Sequence, residues 1–440
     1  MILRGFRSLE LLGCFGKFNK VGFCFFVMAM KEVLKSELGL ISVKDEEVLR
    51  LEKAASNFIK SLKREGLKAF IGGSLAKGTL IVKEKQDIDI FVVFDYSEDI
   101  LKLEKILKRM KLPGELKLVH GSRDYFHVDC GDVVLEIVPV VDNKDPELAE
   151  NVTDVSLSHV RYVRGEVLKN PKIADEIKLA KAFCRANRCY GAEGYIRGFS
   201  GYSLEILVIY FGGFEKFLKG IRKKNVIDPM KYFKSDREIM RELNANKLQG
   251  PLVVVDPTYK FRNVCAGLGL LTFEKFLEVS EKFLKSPSLD FFKRREVDVK
   301  GMKEFALKKK AKFLELEFRT DRQEGDIAGT KMNKFFRFFV KELAKNEQGV
   351  LRVEFDYSGV GKKAKGYLVV LEKNEVEVCG PSIGLEEQAV KFCEGKGNAV
   401  FKKKGFWWWR KRVSVDRVLE FVKGFEKEMG AMVREVKSGK

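Results

Sequence analysis

Histidine, proline and tryptophan are scarce in this chain: three, nine and three residues out of 440. So few histidines argue against a His-rich metal centre. The eight cysteines (14, 24, 130, 184, 189, 265, 379 and 393) are scattered and form no C-x-x-C pair, which argues against both a zinc ribbon and a disulfide framework. Reduced thiols in a cytoplasmic protein are the economical reading. The short apolar run Val21–Met30 cannot span a bilayer, and the segment before it lacks the small-residue cleavage pattern of a secretory signal, so no membrane role is expected. A charged helical pattern begins at Met30, which suggests that synthesis starts at Met28 or Met30 and that residues 1–29 are a non-native extension.

Acidic residues are in deficit. Lys and Arg number 83 against 63 Asp and Glu, a formal charge of +20 spread along the chain. A Lys-rich solvated surface accounts for part of this, and a polyanionic partner such as nucleic acid accounts for it more directly, because many cations can replace the counterions of a phosphate backbone. What is abundant is apolar: 45% hydrophobic residues with 36 Phe, enough for several packed cores. At roughly 150 residues per domain, the length predicts about three.

The regions differ in pattern. Residues 30–145 read as an α/β unit: an amphipathic helix near 44–65, a short strand Ala69–Ile71, the turn Gly72-Gly73-Ser74, a helix from Leu75, and an apolar strand Asp87–Phe94. A helix over Asp99–Met110 and a hairpin of Tyr125–Cys130 with Val133–Val141, turning at Gly131-Asp132, complete it. Residues 146–298 read as helical, with core helices over Ile173–Cys189, Ser203–Leu218 and Leu271–Leu284. From 299 to 440 the pattern is α+β, with strands at Phe313–Phe318, Gly349–Phe355, Gly366–Leu371 and Glu375–Cys379, and helices near 329–345, 384–393 and 415–436. The whole is an α+β multidomain chain with a mixed-sheet head.

Chemistry concentrates in the head. Residues two apart on a strand share a face, so Asp87 and Asp89 point one way while Ile88 and Ile90 point into the core. Two carboxylates side by side repel unless a cation lies between them, and hard cations such as Mg²⁺ favour such oxygens. Upstream, Gly73 lets backbone approach a phosphate, Ser74 adds a hydroxyl and Lys77 a charge. Glu136, inside the apolar strand VVLEIVPVV, is a third carboxylate whose burial without a partner would be costly. Singly, each feature is more often a solvated edge, a plain cap or an ion pair. Together and in this order they point to nucleotidyl transfer.

The pattern G-S, then hDhDh, then a third strand carboxylate resembles the polymerase-beta nucleotidyltransferase superfamily. Several segments resemble the archaeal (class I) CCA-adding tRNA nucleotidyltransferases in particular: FIGGSLAKGTL (70–80), CYGAEGYIRGFSGYSLEIL (189–207), VVVDPTYKFRNV (253–264), SPSLDFFK (286–293) and GFWWWRKR (405–412). The Glu-Asp-x-x-Arg helix of the bacterial and eukaryotic class is missing. The resemblance implies that Asp87, Asp89 and Glu136 hold two Mg²⁺ ions, with Glu136 standing where the family usually has Asp. It implies that Gly73, Ser74 and Lys77 meet the triphosphate, Lys77 standing where Arg is commoner, and that Ser156 and His159 lie near the nucleotide. Lys181 and Tyr190 then hold the triphosphate and the sugar, and Arg262 reads the Watson–Crick edge of the incoming C or A. The implied partners are the acceptor stem and 3′ end of tRNA, with CTP and ATP, and two copies pairing through the C-terminal part. A poly(A)-polymerase-like or partial (A-only or CC-only) enzyme is the alternative. On chemistry alone, Lys181 would be a solvated helix residue and His159 a satisfied surface histidine.

Near the C-terminus, FKKKGFWWWRKR interleaves aromatics with bases, suited to stacking on a nucleotide while cations meet phosphates. Trp408 and Arg410 are the candidate RNA contacts. On a strand, either Trp407 and Trp409 are buried with Trp408 exposed, or the reverse.

Overall fold

The computed structural model describes residues 20–121, 123–142, 151, 153–321, 324–424 and 433–438, with side chains from residue 28 onward and Glu98 excepted. Residues 1–19 of the expected extension lie outside these. The part that is described is helical: α1 spans Lys20–Ile41 and so begins before Met30, whose side chain is buried in the core of the helices that follow. The chain divides into two compact units, Met1–Ala192 with Gly198–Arg294, and Glu193–Arg197 with Arg295–Lys440.

In the first unit, α2 (Asp45–Arg64) opens with Asp45, Glu46 and Glu47 and closes with Lys63 and Arg64, charges that suit the helix dipole at each end. Its buried residues Leu51, Ala55, Phe58 and Leu62 recur at helical spacing. Then come β1 (Lys68–Ile71), the five-residue α3 (Gly73–Lys77), β2 (Gln86–Phe94), α4 (Leu101–Arg109), β3 (Glu115–Val119), β4 (Tyr125–Asp129) and β5 (Val133–Val141). The sheet order is β1-β2-β5-β4-β3. Among the strands of this sheet, only β2 and β5 run parallel, a pairing that needs a long crossover, here α4 and the β3–β4 hairpin. The expected β4–β5 hairpin is present; β3 was not expected.

One sheet face, with Ile88, Ile90, Leu135 and Ile137, packs on α2 and α4 through Leu51, Phe58, Leu103 and Leu107. The opposite face carries Asp87, Asp89 and Glu136 at one end. At the other end Phe91, Val93, Val138 and Val140 meet Leu157 and Val160. These last two belong to α5 (Ser156–Lys169), which begins the helical region.

The region continues with α6 (Lys172–Ala186), α7 (Gly201–Phe211), α8 (Phe214–Gly220), β6 (Val226–Ile227), α9 (Asp236–Glu242), β7 (Val253–Asp256), β8 (Tyr259–Asn263) and α10 (Leu270–Lys285). Its core is dominated by the fully buried Phe183, Phe199, Phe214, Phe217, Phe276 and Phe283. Two expectations need correction. Ser203–Leu218 is not one helix but α7 and α8, broken where Gly212 and Gly213 take φ of 73° and 136°, a left-handed backbone that glycine alone adopts cheaply. The middle region also contains a small sheet, β6-β7-β8, formed in part by VVVDPTYKFRNV, to which no strand had been assigned.

The second unit contains α11 (Val299–Lys309), β9 (Lys312–Arg319), α12 (Asp326–Lys345), β10 (Gly349–Asp356), β11 (Lys363–Leu371), β12 (Glu375–Ser382), α13 (Glu386–Cys393), β13 (Val400–Lys403), β14 (Phe406–Arg412), α14 (Val415–Gly424) and β15 (Glu435–Ser438). It holds two sheets, β10-β11-β9-β15 and β12-β14-β13. The expected helix over 415–436 is a correction too at its far end: α14 covers Val415–Gly424, residues 425–432 lie outside the described residues, and Glu435–Ser438 pair as an edge strand on β9. Among the described residues, no helix is long and apolar enough to cross a membrane.

Candidate active site

Parallel register places Asp89 directly opposite Glu136, with Asp87 opposite Val134. Ile88 and Ile90 are fully buried on the far face, as the alternation requires. Asp89 also abuts the turn before α3. Gly72 N–H donates to the Asp89 carbonyl at 2.8 Å, and a Cβ at Gly73 would run into the Asp89 carboxylate. Gly73 takes a φ of +56°, so both space and backbone call for glycine there. Burial, then the nearby Glu136 carboxylate, push the Asp89 carboxyl up to about 7.

The carboxylates do not form a ready-made cage. Among the described residues, no three His, Cys, Asp or Glu side chains gather as a metal-holding group. Asp87 is ion-paired with Lys83, and Glu136 Oε1 lies 3.1 Å from His127 Nε2, delivered by the adjacent strand β4. The donor set still suits a hard divalent cation. It is all oxygen, and it includes a carboxyl whose ionisation is opposed by burial and by a like neighbour, a cost that a cation relieves. Lys83 and His127 supply counter-charge or hydrogen bonding to two of the same groups.

Beyond the carboxylates, Lys77 of α3 and Lys181 of α6 converge on one buried residue, Glu205 of α7. Lys77 Nζ is 2.8 Å from Glu205 Oε2 and Lys181 Nζ 2.8 Å from Oε1. Thr79 Oγ1 donates to Glu205 Oε1 at 3.0 Å and accepts from Lys181 Nζ at 2.9 Å. Lys181 is therefore no solvated helix residue, and burial lowers its pKa. Burial alone would raise the Glu205 carboxyl, but the charges of Lys181 and Lys77 outweigh it and hold the group at about 2. The Tyr190 hydroxyl and the Lys181 stem flank Gly201 at the start of α7, so closely that a side chain there would crowd the hydroxyl. Ser74 lies on α3, which packs against α5, and Ser156 opens α5 one turn before His159.

His159 and Arg262 meet at a second buried acid, Asp256. His159 Nε2 is 2.9 Å and Arg262 Nη1 2.7 Å from Asp256 Oδ2. His159 is buried, not a surface histidine, and burial lowers its pKa against the pull of Asp256.

Trp408 and Arg410 lie on β14 in the second unit, and neither expected alternation holds: Trp407, Trp408 and Trp409 are all half-buried. Lysines cover them, with Lys402 Nζ 4.7 Å from the Trp407 ring, Lys403 5.3 Å from Trp408 and Lys396 5.3 Å from Trp409. Trp408 Nε1–H donates to the Lys403 carbonyl at 2.9 Å, and Arg410 lies 5.2 Å from the Phe401 ring. Trp409, Arg410, Arg412 and Arg417 line a groove of about 1080 Å³.

Sequence reasoning passed over Glu205, Asp256, Tyr202, Thr79, His127 and Lys83. Glu205 had a signal: it is the one charge within the apolar stretch SLEILVIYF. The others carried none, since each is defined by its partner.

A mixed sheet carrying paired acids beside a glycine turn defines a nucleotidyltransferase, and residues 53–142 match the family model "Nucleotidyltransferase domain". Such domains generally use divalent metal ions. Residues 175–293 match "tRNA nucleotidyltransferase, second domain". The CCA-adding enzyme of Nanoarchaeum equitans is 35% identical over 337 residues, 74% of this chain and 79% of that one. That of Thermococcus kodakarensis is 32% identical, covering 60% of this chain and 61% of its own, and that of Methanocaldococcus jannaschii 29%, covering 74% and 75%. This chain belongs to the CCA-adding enzyme family.

Proposed function

We propose that this protein adds C, C and A, without a nucleic-acid template, to the 3′ end of tRNA, using CTP and ATP and releasing pyrophosphate. The in-register pairing of Asp89 with Glu136, on the sheet face bordered by the Gly73 turn, is the observation that carries the chemistry. The tRNA substrate and the CCA product come from the family. The reaction then lies in the cytoplasm, and pairing of two copies through the second unit is the expectation that the resemblance carries.

Asp87, Asp89 and Glu136 would hold Mg²⁺. Bound there, the metal supplies a lowered pKa at the attacking hydroxyl and charge neutralisation at the leaving pyrophosphate. The tRNA 3′ oxygen bonds to the α-phosphorus as the bridge from the α- to the β-phosphate breaks, and the hydroxyl proton leaves toward Glu136. Gly73 and Ser74 border the phosphates. Lys77 and Lys181, both anchored on Glu205, present cations to the triphosphate from α3 and α6. Tyr190 borders the sugar, Ser156 and His159 lie near the base, and Arg262 meets its Watson–Crick edge. Trp408 and Arg410 contact the RNA.

The test is incubation with Mg²⁺ and tRNAs ending at the discriminator, at C and at CC. Two CTP additions followed by one ATP addition are expected. CTP-only or ATP-only incorporation would reveal a partial enzyme, and unlimited ATP incorporation a poly(A)-polymerase-like one.

A further inference from the structure

Four elements deliver one side chain each to a single point in the first unit: Asp256 ends β7, Arg262 lies on β8, His159 on α5 and Tyr202 on α7. Asp256 has no exposed surface. Its Oδ1 accepts the Tyr202 hydroxyl at 2.9 Å, and Thr258 N–H and Oγ1–H at 2.8 Å each. Its Oδ2 accepts Arg262 Nη1 at 2.7 Å and faces His159 Nε2 at 2.9 Å. Arg262 Nη1 is itself 3.0 Å from His159 Nε2. The His159 ring stacks on Tyr202 with centroids 3.8 Å apart, and the Arg262 guanidinium lies 5.7 Å from the centre of the same tyrosine ring. Burial would raise the Asp256 carboxyl, but hydrogen bonding from His159 and the Arg262 charge hold it well below the usual carboxylate range. It is therefore a fixed anion at any working pH.

We propose that Asp256 sets which nucleobases this site accepts, as a positioning residue that holds the Arg262 guanidinium in one orientation. The proposal rests on the reading in which Arg262 meets the Watson–Crick edge of the incoming nucleotide. A guanidinium has donors only. Cytosine N3 and adenine N1 are acceptors, whereas uracil N3 and guanine N1 carry hydrogens, so a donor aimed at that ring nitrogen favours C and A and disfavours U and G. The discrimination exists only while the aim is fixed. A guanidinium free to swing by an ångström or two finds uracil O4 or guanine O6, which are good acceptors, and the distinction disappears. Asp256 accepts from Nη1, so the planar fork is anchored at one corner, beside the His159 ring and backed by the Tyr202 ring, while its other N–H groups keep fixed directions. Tyr202 and Thr258 in turn leave Asp256 Oδ1 no freedom to rotate.

The experiment measures single-nucleotide extension of tRNA ending at the discriminator with CTP or UTP, and of tRNA ending in CC with ATP or GTP. It compares wild type with Asp256→Asn, Tyr202→Phe, Arg262→Lys and the Asp256→Asn/Arg262→Lys pair. Asp256→Asn is expected to lower the CTP/UTP and ATP/GTP ratios of kcat/KM by about tenfold or more, the scale of one misplaced polar contact. Tyr202→Phe keeps the ring on His159 and removes only the bond to Oδ1, so it lowers the ratios by a smaller factor and carries the test if Asp256→Asn does not fold. The double variant should discriminate no worse than Arg262→Lys alone, because both changes act through one group. Equal loss of rate with all four nucleotides and unchanged ratios would overturn the proposal, since that is what a purely structural acid gives. If Arg262→Lys itself leaves the ratios intact, the assignment of Arg262 to the base fails. If Arg262→Lys lowers them while Asp256→Asn and Tyr202→Phe do not, only the inference about Asp256 fails.

Discussion

Asp89 and Glu136 face each other across the parallel strands β2 and β5, on the same side of the sheet, with the Asp89 carboxyl pushed up to about 7 by burial and then by Glu136. Placing two acids so close is unfavourable in isolation and useful when a cation joins them. The Asp89→Asn variant should therefore lose both properties at once. Nucleotide incorporation should fall by about a thousandfold or more, several kcal/mol of barrier, and the thermal stabilisation that Mg²⁺ or Mn²⁺ gives the wild type should vanish. A variant that keeps wild-type rates would remove Asp89 from the metal assignment.

Gly73 tests the same contact from the backbone side. Gly73→Ala places a Cβ against the Asp89 carboxylate at a φ of +56°, so activity should be lost along with roughly 1–2 kcal/mol of stability. Gly66→Ala is the control: its φ is also positive, at 79°, but a Cβ there meets nothing within 4 Å. It should cost about 1 kcal/mol in urea unfolding and leave nucleotide incorporation intact.

Glu205 links stability to pH. Its folded carboxyl is held at about 2 against an ordinary 4.5, so its ionised form stabilises the fold fully above 4.5 and loses that contribution as pH falls toward 2. Burial lowers the pKa of Lys181, which offsets part of the gain. Glu205→Gln leaves a buried ammonium without its anion and should cost on the order of 3 kcal/mol near neutrality. The gap from wild type in denaturant unfolding should narrow steadily between pH 4.5 and pH 2. The same variant should raise KM for CTP and ATP, because Lys77 and Lys181 lose their common anchor.

In the second unit, Arg410→Ala should weaken tRNA binding and reduce the salt slope of log Kd by roughly one. Trp408→Ala should weaken binding with the slope unchanged, because a ring contributes stacking and no charge. Filter binding across a salt series separates the two. If both variants bind like wild type, β14 has no part in RNA recognition.

What the sequence determined by itself is what local periodicity encodes. Alternation along QDIDIFVVF specifies that Asp87 and Asp89 share one face while Ile88 and Ile90 enter the core, because successive strand residues point oppositely whatever surrounds them. Gly72-Gly73-Ser74 marks a turn for the same local reason, and the ordered motifs identify the family. Only the tertiary structure decided which buried charges answer one another. Lys77 and Glu205 are 128 residues apart, and His159 and Asp256 are 97 apart. No pattern within a helix or strand specifies such pairs, because the cost of burying an ion is met by whichever partner the packing of distant elements brings within hydrogen-bond reach. The Trp run shows the same limit. Period two permits one buried and one exposed set, yet all three rings are half-buried, and lysines from β13 and from the turn at Lys396 lie over them.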